Sequence, residues 1–156
     1  MINDQVDTTG EVLLSSHTEE YWRRRKRELK EWDRAPKIRK HPKRTTMFNG
    51  VEVDVEIYSA LYKLNQIGVQ TEFSCAGVSP LDEPIEHSLY AYVTFLDGEA
   101  AERFTWIIRD VMKHRALLTY ESDRNRYDVS SFFIGHNRTF CYLLDHCAEI
   151  MKSRTL

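Results

Sequence analysis

The sequence predicts an α+β domain: a mainly antiparallel sheet with helices on one face and a basic helical arm in front. Three observations carry this. From Asp54 onward, hydrophobic spacing alternates between helical and strand periods in the order helix-strand-strand, helix-strand-strand, helix. "ALLTYES" and "YDVSSFFI" flank "DRNR" as a hairpin would. Charge is split. Arg23–Arg44 holds twelve Lys or Arg against three acids, and the rest of the chain ten against twenty-one.

The division that follows is residues 1–46, a mobile N-terminus and basic arm, and residues 47–156, the α+β domain. Met1–Ser16 is polar and unpatterned. Ser16 or Thr18 caps a helix with Glu19 and Glu20 in its first turn, which runs to Arg34 and stops at Ala35-Pro36. Its apolar stripe is thin: Tyr21, Leu29 and Trp32, with the Arg25 stem between. Asn49-Gly50 marks a turn. Asp54 caps a helix that buries Ile57, Ala60, Leu61, Leu64 and Ile67 and ends at Gly68. In the next strand Val69, Thr71, Phe73 and Cys75 share one face, and Gln70, Glu72 and Ser74 the other. Residues 78–86 form a loop. A second strand sets Leu89, Ala91, Val93 and Phe95 against Tyr90, Tyr92 and Thr94. Asp97 caps an amphipathic helix through Met112. The last helix, about His136–Lys152, turns Phe140, Leu143, Leu144, Cys147 and Ile150 inward.

The candidate sites are two. The first is the strand end Ser74-Cys75-Ala76-Gly77, where small residues let backbone N–H groups approach a ligand. Ser74, Cys75, Gly77, Tyr90 and Tyr92 are its expected ligand-binding residues, with Arg124, Asn125 and Arg126 of the hairpin turn as possible neighbours. The second is the basic run. Arg23, Arg24, Arg25, Lys26, Arg27, Lys37, Arg39, Lys40, Lys43 and Arg44 supply the cation density that phosphate binding needs, with aromatics available for stacking. The competing reading docks Trp22, Leu29 and Trp32 on a protein partner. Three cysteines without a C-x-x-C pair indicate neither a disulfide framework nor a zinc ribbon. A Cys75/His87/His136 metal site matches no ligand spacing. No glycine-rich dinucleotide loop, P-loop or metalloprotease signature is present, so no cofactor is expected and no catalytic residue is assigned. The lack of a long apolar run or signal-like start leads to a cytoplasmic expectation, in a bacterial host if phage-encoded.

"VDVEIYSALYKLNQIGVQTEFSCAG" followed by "AYVTF" resembles a group of uncharacterised small bacterial and phage proteins with a Thr-x-x-Ser-Cys-x-Gly strand end. The likeness covers Val51 to Phe95. The same stretch is more distantly similar to the wybutosine-synthesis methyltransferases of tRNA: Thr71, Ser74, Cys75 and Gly77 fit, while Ala76 and Val78 replace a small polar and a basic residue. That resemblance implies a tRNA-modifying methyltransferase. The residues themselves favour a small module that recognises a nucleic acid or nucleotide, with a protein-binding regulator of a host machine as the alternative.

Overall fold

The structure is a computed structural model that describes residues 10–36, 40–78, 83–84 and 88–154. In chain order the elements are β1 (Glu11–Leu13), α1 (Glu19–Arg34), β2 (Lys40–His41), β3 (Thr45–Phe48), β4 (Val51–Asp54), α2 (Val55–Gln66), β5 (Thr71–Cys75), β6 (Glu83–Pro84), β7 (Tyr92–Leu96), α3 (Glu99–Met112), β8 (Ala116–Glu121), β9 (Arg126–Ser131) and α4 (Asn137–Arg154). The expected α+β architecture is present. A five-stranded antiparallel sheet runs β1-β8-β9-β7-β5. No helix among the described residues is long and apolar enough to cross a membrane.

The amphipathic helices build the core. α2 buries Ile57, Ala60, Leu61 and Leu64. α3 buries Phe104, Ile107, Ile108 and Met112, and α4 buries Phe140, Leu144, Cys147 and Met151. They close on Val93, Phe95, Leu118 and Val129 of the sheet. At about 25 cal/mol per Å² of apolar area removed from water, this shared core is the main stabilising contribution. Asn49 and Gly50 both have positive φ, 50° and 78°, and join β3 to β4 in a tight hairpin. β2 and β6 pair in parallel, bringing the stretch after α1 beside the stretch after β5.

Four expectations change. Residues 11–13 are not an unpatterned lead: they form β1, the sheet edge, paired with Thr119–Glu121. Asp97 does not cap α3, because Gly98 holds that position; the Asp97 carboxylate accepts from the Gly98 N–H and from the hydroxyls of Tyr120 and Tyr127. Phe73 does not face the core and is 57% exposed. The cause is a bulge: Thr71 opposes Phe95 and Ser74 opposes Val93, so Glu72 and Phe73 together face Thr94. The Thr94 hydroxyl accepts from the Phe73 N–H at 3.0 Å. A one-residue slip inverts every following side chain. Ser74 therefore shares the core face with Val93, and Cys75 shares the opposite face with Tyr92.

That opposite face has a readable layout. Cys75, Tyr92, Ser130 and Leu117 form one row; Thr94, Asp128, Thr119 and Leu13 the next; Leu96, Arg126, Glu121 and Glu11 the third. Most of these residues are half-buried.

Candidate functional site

Cys75 ends β5 on the side away from the helices, yet it is only 9% exposed. Lys43, two residues before β3, covers it. Lys43 Nζ lies 2.8 Å from Cys75 Sγ and 2.8 Å from Asp54 Oδ2. The side chains of Lys43 and Asp54 are 11% and 13% exposed. Asp54 sits at the N-terminal boundary of α2 but makes no side-chain capping bond. Its carboxylate accepts instead from the Ala76 N–H at 2.7 Å. The Gly77 and Ser88 N–H groups each donate to Cys75 Sγ at 3.4 Å. A half-buried ammonium, a carboxylate and a sulfur thus form one hydrogen-bonded group, tied to the turn after β5.

The electrostatics follow from that closure. Burial acts to lower the Lys43 ammonium, but the bonds to Asp54 and Cys75 outweigh it and hold Lys43 above the ordinary lysine value. Tyr92 is raised by burial first, and then by the nearby Cys75, Asp128 and Asp54, with Lys43 opposing. In the next row, burial and the charges of Glu11 and Glu121 push the Asp128 carboxyl up to about 6, against the pull of Arg126. Cys141 and Cys147, on α4, are buried, and burial pushes both thiols up to about 12.

Of the five residues expected at the ligand edge, the structure brings Cys75, Tyr92 and the Gly77 N–H together and separates Ser74 and Tyr90 from them. Ser74 lines a groove of about 470 Å³ with Phe48, Val53 and Thr71, on the other side of β5. Gly77 is buried, with φ +78°, and a Cβ there would lie 2.5 Å from Asn137 Nδ2 and 2.7 Å from the Ala91 nitrogen. It faces the protein interior. Tyr90 lies under the Arg25 guanidinium at 4.0 Å and belongs to the α1 contact. Arg124 and Arg126 pair with Glu121 at the far end of the hairpin from Ser130.

Three contributors were missed in the sequence. Asp54 was read as a cap, and Lys43 as one more cation of the basic run. Asn137 was not singled out, though it is 3% exposed and ties three segments. Its Oδ1 accepts from the Ala91 N–H, and its Nδ2 donates to the carbonyls of Val78 and Leu89. Its place at the start of α4 was the available signal.

The basic helix is docked against the body. Thr18 caps it, accepting from the Tyr21 N–H. Just before it, His17 stacks on Phe132 at 4.0 Å; within it, Tyr21 stacks on His114 at 4.3 Å, and Trp22 meets Phe132 edge-on at 4.9 Å. Arg24 lies 3.9 Å over Phe133. Arg25 donates to the Phe132 carbonyl at 2.7 Å as well as covering Tyr90. At ~100° per residue, Tyr21, Arg25, Glu28 and Trp32 fall on this inward side, and all four are half-buried. Arg23, Lys26, Arg27, Lys30 and Arg34 fall on the outward side and are exposed. They form a stripe about 17 Å long. Arg23 and Arg27 pair with Glu19 and Glu31 along the helix.

The ten expected phosphate contacts therefore divide. Arg23, Lys26, Arg27 and Arg44 are exposed; Arg24 and Arg25 hold α1 in place; Lys43 is engaged with Cys75. Lys37, Arg39 and the Lys40 side chain lie outside the described residues, as does His87. His136 packs edge-on against Phe133 at the α1 contact. Comparison with known proteins adds no identity: no family model, curated protein or solved structure matches the chain.

Proposed function

We propose that this protein recognises a nucleic acid, with the outward stripe of α1 lying along the phosphate backbone. The observation that supports the reading most is the placement of Arg23, Lys26, Arg27, Lys30 and Arg34 on one exposed side of a helix whose other side is held by stacked rings. A docked helix presents its cations without the ordering cost of a free arm. The pairs of Arg23 with Glu19 and Arg27 with Glu31 are surface-exposed. Such pairs contribute little, so a phosphate can replace the glutamate. Half-buried Tyr92, and Phe73 exposed by the bulge, supply rings on the same chain for base stacking.

The alternative is a protein partner docked on the same helix: Trp22 and Leu29 are 39% and 38% exposed, while Trp22 also packs on Phe132 and His17 and Trp32 is half-buried on the inward side. The test is a fluorescence-anisotropy titration of a short single-stranded RNA and a DNA duplex against the full chain. Lys26→Glu with Lys30→Glu should weaken binding on the order of tenfold or more, since the phosphate contacts are charge-dependent. Equal affinity of variant and wild type would sink the reading.

A further inference from the structure

Three donors converge on the Cys75 sulfur, and one is out of line with the others. The N–H groups of Gly77 and Ser88 lie 3.4 Å from Sγ, whereas Lys43 Nζ lies 2.8 Å away. Nitrogen and sulfur at that separation are close enough for a single oxygen bonded to both to span the gap. The amine is held in place from the other side by Asp54, 2.8 Å from Nζ. Cys75 is 9% exposed and the Lys43 side chain 11%. A small oxidant reaches such a sulfur, while a bulky thiol that would cap it as a mixed disulfide is hindered.

We propose that Lys43 and Cys75 form a covalent redox link in which one oxygen atom joins Sγ to Nζ, made by hydroperoxide and opened by thiol reductants. In the first step the Cys75 sulfur, as thiolate, attacks one peroxide oxygen. The O–O bond breaks and a sulfenic acid forms. The departing hydroxide takes a proton from the Lys43 ammonium, which leaves a neutral amine beside the new S–OH. The amine nitrogen attacks a second peroxide, giving N–OH and water. Condensation of S–OH with N–OH expels another water and leaves S–O–N. Overall, one thiol, one amine and two hydrogen peroxide molecules give the link and three waters. Sulfur and nitrogen are each oxidised by two electrons, and two peroxides are reduced. Two equivalents of a dithiol return four electrons and restore thiol, amine and water.

The closed link would join positions 32 residues apart, enclosing β3, β4, α2 and β5. Cys141 and Cys147 serve as internal controls. Both are buried in the helical core with their thiols pushed up to about 12.

The experiment is intact-mass and peptide mass spectrometry of the full chain, treated with hydrogen peroxide and split into samples with and without dithiothreitol. The expected result is a gain of about 14 Da, one oxygen in and two hydrogens out. It should disappear on reduction, with a Lys43 peptide joined to a Cys75 peptide. Lys43→Arg, which keeps the cation and has no primary amine, should lose the 14 Da species and show oxygen additions on Cys75 alone. Wild-type protein that shows only oxygen additions on an unlinked Cys75, or no change at Cys75, would overturn the proposal. Because the decisive reading is made on the unmutated chain, a folding defect in the variant does not affect it.

Discussion

Gly77→Ala should destabilise the protein strongly, and the structure says why. Gly77 has φ +78°. An alanine held in the left-handed region costs about 1–2 kcal/mol. The new Cβ would lie 2.7 Å from the backbone nitrogen of Ala91, which cannot move without disturbing the entry to β7, and 2.5 Å from Asn137 Nδ2. If Asn137 yields, its bonds to Ala91, Val78 and Leu89 are strained together. A net ~1 kcal/mol for each bond, and more for a buried group left unpaired, gives a total of roughly 3–6 kcal/mol. For a chain of this size that is a fall of about 10–20 °C in melting temperature. The assay is a thermal melt followed by circular dichroism, with urea unfolding as a second measure. Gly135→Ala is the control, since a Cβ there meets nothing within 4 Å. If Gly77→Ala melts within a degree or two of wild type, the tight contact with Asn137 is not real, and the expectation that Gly77 faces a ligand returns.

Other outcomes follow from the same contacts. Asn137→Ala should lose about 2–4 kcal/mol in urea unfolding, through three backbone partners left without it; a loss under 1 kcal/mol would show that those segments are held by other means. The pKa of His17 is lowered from 6.5 to about 4 by burial first, then by Arg25 and His114. Its neutral form is the one the fold prefers, so its stabilising contribution is complete above pH 6.5 and disappears as pH falls through about 4. Wild type should therefore lose more stability than His17→Gln between pH 7 and pH 4, measured as unfolding midpoints; parallel losses would contradict this. Asp128 has the opposite sign. Its folded value is raised from 3.8 to about 6, so its contribution is complete below pH 3.8 and lost as pH rises through about 6. Asp128→Asn should be more stable than wild type at pH 8, with the advantage shrinking towards pH 4, and a variant less stable at pH 8 would refute the burial argument.

Much of the fold was legible because it is periodic. The spacing of Ile57, Ala60, Leu61 and Leu64, and of Phe104, Ile107, Ile108 and Met112, fixes which side of each helix is buried before any partner is known. The hairpin of β8 and β9 was legible from its turn chemistry. What failed was long-range. Residues 70–75 alternate cleanly, so nothing local reveals the bulge; it exists because Thr94 offers a hydroxyl to Phe73 from the neighbouring strand. That slip moved Cys75 to the opposite face. β1 is three residues long and gains its strand character only by pairing with β8. α1 looked like a free arm because its own apolar stripe is thin. Its hold on the body comes from His17, Tyr21 and two arginines on rings and carbonyls, contacts that a hydrophobic pattern does not register. Lys43, Asp54 and Cys75 are distant in sequence, and each has an adequate local reading as linker cation, helix boundary and strand end. Only the closure of the chain joins them.

The most direct test of the proposed function is the salt dependence of RNA binding by the unmodified full chain. Five exposed cations line the outer side of α1: Arg23, Lys26, Arg27, Lys30 and Arg34. If each neutralises one phosphate of a single strand, the logarithm of the binding constant falls with the logarithm of salt concentration with a slope of roughly −3.5. An anisotropy titration at several salt concentrations gives that slope. A value between about −2.5 and −4.5 agrees with phosphate contact along the stripe, whereas affinity independent of salt, or no binding at low salt, contradicts it.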